Sequence, residues 1–129
     1  MPRKTFTAGE VLAAADVNLY LSNEITLTSS TATSYTVLTA DRYKTLLFSA
    51  GSAVTISIGT ATAFEAGERV DIIQDGAGTV RVQRDGTAVS LAGRGTAGTA
   101  YTIGQQYDAV SIVCVGTNSY RIIGNAKVV

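Results

Sequence analysis

The strongest constraint on this chain is a hydrophobic period of two that governs it from residue 35 onward. It shows first in Tyr35–Thr39, Thr45–Ser49, Val54–Ile58, Val70–Gln74 and Thr79–Gln83, then in Ala88–Leu91, Ala109–Val115 and Tyr120–Ile123. Each run is short, rich in β-branched or aromatic residues, and bounded by Gly, Asp, Asn or Ser, as expected of strands in an all-β sandwich or small barrel. In Val54-Thr55-Ile56-Ser57-Ile58 and Val80-Arg81-Val82 the alternation is strict, so one face is buried and the other wet. Residues Val110 to Val115 are apolar at both parities, which places that strand centrally under cover or in a subunit interface. The expected fold is mainly β: a single antiparallel β-sandwich, jelly-roll-like or a small barrel, over residues 25–129. Residues 1–24 form an N-terminal arm with one short helix.

Length and composition agree with one domain. A chain of 129 residues buries about two thirds of its extended surface. Ten basic and ten acidic residues give a formal net charge of zero, so no field draws the chain to nucleic acid or to an anionic membrane. There is no histidine, which excludes Ser-His-Asp and Cys-His nucleophiles, and Cys114 is alone, which excludes an intrachain disulfide. Within an apolar strand Cys114 reads as a small hydrophobe. Nothing near 18 consecutive apolar residues occurs, and the start of the chain lacks the apolar run of a secretory signal, so synthesis and folding in a cytoplasm are expected.

Three further features need a reading. Val70–Val82 aligns without gaps on Val110–Ile122, and both copies read as strand, glycine-containing turn, strand, that is, as a hairpin used twice. Gly93-Arg94-Gly95-Thr96-Ala97-Gly98 spells Gly-x-Gly-x-x-Gly, but Thr99–Gly104 reads as turn and strand where the dinucleotide fingerprint needs a helix. It is read as a flexible glycine loop. Glu65, Glu68, Asp71, Asp75 and Asp85 crowd together with Arg69, Arg81 and Arg84. A glycosidase would need two of these carboxylates about 5 to 9.5 Å apart at a sugar cleft. Interleaved charges on the wet face of neighbouring strands are the simpler reading.

The arm carries a different pattern. From Ala13 to Leu21 most residues favour helix, and Val17, Tyr20 and Leu21 share one face, giving a short amphipathic helix over about residues 13 to 22. Residues 5 to 12 read as extended, although Thr7-Ala8-Gly9-Glu10 has the spelling of a capping box. A helix this short needs a packing partner, either the β domain or a neighbouring chain. Ser29–Ser34 reads as a small polar linker between arm and domain.

The run from Phe6 to Leu21 resembles the N-terminal motif of small structural proteins of tailed bacteriophages. The matching positions are Phe6, Gly9, Glu10, Val11, Leu12, Asp16, Val17, Asn18, Tyr20 and Leu21. Ala13 departs from the pattern, which has Thr or Ser there and so a side-chain cap for the helix. Gly67–Gly76 and Tyr120–Asn125 are similar to hairpin and closing strand in the β domains of phage fibres and capsid appendages. The resemblance implies a non-enzymatic virion protein, commonly a homotrimer, on the virion surface. Its arm would dock on other virion proteins through Arg3, Lys4, Phe6, Val11, Leu12, Val17, Tyr20 and Leu21. A standalone head without a shaft suits a capsid decoration protein bound to the major capsid protein. The alternative is a minor tail protein or tail-fibre tip that binds a host-surface glycan or protein. No cofactor, metal, nucleic acid or membrane insertion is expected.

Overall fold

The computed structural model describes residues 5–11, 13–16 and 26–129. A single helical turn, α1 (Ala14–Asp16), stands in the arm. Among the described residues twelve strands follow: β1 (Leu27–Ser30), β2 (Ser34–Thr36), β3 (Thr45–Phe48), β4 (Val54–Ile58), β5 (Arg69–Gln74) and β6 (Val80–Arg84) make the first half. β7 (Ser90–Gly93), β8 (Thr96–Gly98), β9 (Ala100–Ile103), β10 (Ala109–Gly116), β11 (Ser119–Gly124) and β12 (Ala126–Val128) make the second. One sheet runs β1-β3-β5-β10-β11-β7-β8 and the other β12-β9-β6-β4-β2. The two sheets pack as a β-sandwich, as the period of two predicts.

The pairing is mixed rather than antiparallel throughout. Five ladders are parallel and five antiparallel. In the first half the chain winds: each odd strand lies in the larger sheet, crosses over, and returns as an even strand of the smaller one. Three such rungs stack in register, with Leu46 beside Ile72 and Ile56 beside Val82. Antiparallel β10 and β9 then close the stack against β5 and β6.

What makes a rung rather than a hairpin is the close approach of successive crossings. Asp75 and Gly76 donate their N–H groups to the Phe48 carbonyl, and Gly78 donates to Ala50. A Cβ on Gly76 would sit 2.3 Å from the Ala50 carbonyl oxygen and one on Gly78 1.9 Å from that of Ser52. Only glycine lets the backbone in. The Gln74 side chain, buried in the bend, accepts from the Val80 N–H at 3.1 Å and ties the two sheets together. The Val70–Val82 copy of the internal echo is therefore a crossing between sheets, not a hairpin. Only the second copy, β10–β11, is one.

Two other expectations change. Ser29–Ser34 is not a linker: it ends β1, makes the first crossing and begins β2. Gly93–Gly98 is not a flexible loop but the β7–β8 hairpin, with Gly93 paired to Thr96 across Arg94 (φ 47°) and Gly95 (φ 78°). Two positive φ angles in a two-residue loop make the type I′ turn that follows the natural twist of a hairpin.

The core lies between the sheets. Leu46, Phe48, Ile56, Ile58, Ile72, Leu91, Ile112, Tyr101 and Tyr120 are all fully buried. Each such side chain contributes about 1.5–3 kcal/mol through burial. β10 is central in its sheet but not covered on both faces: Val110, Ile112 and Cys114 face inward, while on the outer face Val113 is half-buried and Val115 exposed.

Candidate functional site

The arm is the first candidate, and its local structure follows from four residues. The Thr7 N–H donates to Glu10 Oε2 at 3.1 Å, and the Glu10 N–H donates to the Thr7 carbonyl at 3.1 Å. Gly9, at φ 85°, occupies the position that demands a left-handed residue. The Thr-x-x-Glu spelling thus closes a β-turn within the extended segment rather than starting a helix. Every described residue from 5 to 15 is exposed, with Phe6 at 38% and Val11 at 85%. α1 lies inside the expected helix; Ala13 precedes it without helical structure, and the positions from 17 onward fall outside the described residues. Of the expected docking residues, Arg3, Lys4, Leu12, Val17, Tyr20 and Leu21 also lie outside them. The described part of the arm adds nothing to the core, which begins at Val37.

The second candidate is the set of carboxylates. Asp41 is buried in the return loop after β2, where it accepts from Tyr35 Oη at 2.9 Å and from the Leu38 N–H at 2.9 Å, with Lys44 Nζ at 3.7 Å. Glu68, also buried, accepts from the Glu65 N–H at 2.7 Å and lies 3.4 Å from Arg42 Nε. Asp71, on the outer face of β5, accepts from Arg69 Nη2 at 2.9 Å and from Ser111 Oγ. Asp108 accepts from Asn125 Nδ2 at 2.8 Å. These carboxylates pin loops and strands together. Burial, reinforced by the Asp41 carboxylate, pushes the Tyr35 phenol up to about 12. Burial likewise raises Tyr120, whose hydroxyl accepts from the Phe64 N–H.

Of the acidic residues that crowd in the sequence, Glu65 lines a groove beside the β10–β11 turn, whereas Glu68 and Asp71 are engaged by neighbouring groups. Asp71 and Asp75 are four positions apart on extended backbone, about 13 Å between Cα atoms. Among the described residues no group of three or more His, Cys, Asp or Glu side chains is disposed to hold a metal ion, and no helix is long and apolar enough to cross a membrane. Cys114 is buried, and its thiol points at the Phe64 and Gly116 carbonyls at 3.2 and 3.0 Å.

Among the described residues, grooves open at two places on the sandwich. One, of about 400 Å³, lies between the 63–66 loop and the β10–β11 turn, where Asn118 takes φ 51°. The other, of about 250 Å³, lies between the β7–β8 turn and β12, with Arg94 and Lys127 beside it. The groove positions had no sequence signal beyond Gly and Asn turns, because they arise from strands far apart in the chain.

No family model matches the chain, and no curated protein is significantly similar to it.

Proposed function

We propose that the chain is a non-enzymatic structural protein of a tailed-phage virion, one that docks through its arm and displays the sandwich on the particle surface. The observation that carries this reading is the contrast between a self-contained core and an arm whose described residues, Phe6 and Val11 among them, are exposed to solvent. An apolar side chain held out on an exposed arm is suited to a partner surface. Buried and half-buried polar groups that brace loops, such as Asp41 and Glu68, suit a scaffold. Capsid decoration, with the major capsid protein as partner and three copies about an axis, is the favoured placement. The test is a count of this chain against the major capsid protein in purified particles. Copies in proportion to capsomers support decoration; a few copies per particle move the protein to the tail, and absence from the particle defeats the proposal.

A further inference from the structure

Sheet edges are where the molecule is least protected, and its four edges differ. β8 has three residues, and the Thr96 carbonyl is already taken by Tyr101 Oη at 2.6 Å. β12 also has three, with Lys127 at its centre. Short length, occupied acceptors and charge are the usual guards against further pairing.

β1, with four residues, and β2, with three, lack the other two guards: neither strand carries a charged residue, and the outward acceptors of both are open. They are the outermost strands of the two sheets at one end of the sandwich, and among the described residues neither has a neighbour on its outer side. The Thr26 and Ser30 carbonyls accept from β3 and its flank, and the Thr33 carbonyl and Val37 N–H are joined to β4 and its flank. Alternation along a strand therefore turns the N–H and C=O groups of Leu27, Ser29, Ser34 and Thr36 outward. From Thr26 to Ala40 the chain has no charged residue, no proline and no glycine. Leu27 and Leu38, at this end, are 60% and 50% exposed.

We infer that a second copy of this chain pairs with this end, β1 against β1 and β2 against β2, across a two-fold axis normal to the sheets. The occupant is fixed by the need to satisfy two edges at once. A single extended peptide can extend one sheet only. The same end of another copy presents both edges at the same separation, and a two-fold axis makes each pairing antiparallel and self-complementary. An uncharged seam and a net charge of zero put no repulsion between the copies. The pairing stands apart from the virion proposal and from any three-fold contact within it.

The full chain is examined by sedimentation and light scattering over a range of concentration. The expected mass at high concentration is twice 13.3 kDa, or an even multiple of it. Ser29→Pro and Thr36→Pro remove outward N–H groups that no internal ladder uses, and each should halve the mass while leaving the circular dichroism unchanged. If a proline variant misfolds, Ser29→Lys with Thr36→Lys serves instead, with the same expected loss. Amide exchange supplies a readout without mutation: Leu27, Ser29, Ser34 and Thr36 should become protected as concentration rises. A mass of 13.3 kDa at the highest concentration, an odd-numbered assembly unaffected by either pair of variants, or four amides that exchange freely at every concentration overturns the inference.

Discussion

Between residues 69 and 84 the chain threads from one sheet to the other through Gly76 and Gly78, under backbone that leaves no room for a Cβ. Between residues 5 and 15 every described side chain is exposed, and Thr7 and Glu10 close a β-turn. The first region has stability invested in each residue. The second buries little, and Val11, 85% exposed, is the apolar side chain it presents most openly. Stability and attachment should then be separable by mutation: changes in the crossings unfold the chain, and changes in the arm leave it folded but unattached.

The largest effect is expected at Gly78. A Cβ 1.9 Å from the Ser52 carbonyl oxygen forces the stacked crossings apart, and Gly78→Ala should cost about 3–4 kcal/mol in urea unfolding. A cost below about 1 kcal/mol would mean the crossings are loosely packed and the contrast with the arm is weaker than described.

Next comes Tyr101, buried at the β7–β8 hairpin, where its hydroxyl accepts from the Gly93 N–H at 3.0 Å and donates to the Thr96 carbonyl. Tyr101→Phe strands both groups and should cost about 2 kcal/mol, read as a lowered unfolding midpoint. Tyr35→Phe is expected to cost about 1 kcal/mol at neutral pH, because Asp41 keeps the Leu38 N–H as a donor. The same variant sharpens a pH argument. The folded Tyr35 phenol is raised to about 12 from an ordinary 10, so its contribution is complete below pH 10 and is lost as pH rises toward 12. Thermal melts should show a shallower decline across that window for Tyr35→Phe than for the parent chain.

The smallest effect on stability belongs to the arm. Phe6→Ser with Val11→Ser should shift the unfolding free energy by less than about 0.5 kcal/mol while lowering incorporation into particles. A large loss of stability there would show the arm to be part of the domain.

The layers of this fold were legible because side-chain parity is a local property. Val54–Ile58 alternates in the sequence and in the structure alike, and Val110–Val115 does sit centrally in its sheet. Strand partnership was not legible, because it depends on contacts between segments distant in the chain. Asp75-Gly76-Ala77-Gly78-Thr79 has turn composition either way. What makes it a crossing is the position of Ser49–Ser52 above it, to which no residue within the segment testifies. Arg94-Gly95 misled for a related reason: a glycine-rich spelling suggests mobility, yet a type I′ turn needs that composition to hold two strands tightly. The grooves and the uncharged β1–β2 end required the strand order.

The most direct test of a folded display domain carried by a separate attachment segment is removal of residues 1–22, followed by unfolding measurements and by reconstitution with particles lacking the chain. The account predicts a cooperative unfolding transition close to that of the full chain, together with loss of particle binding. Normal binding by the truncated chain, or a truncated chain that no longer folds, would contradict it.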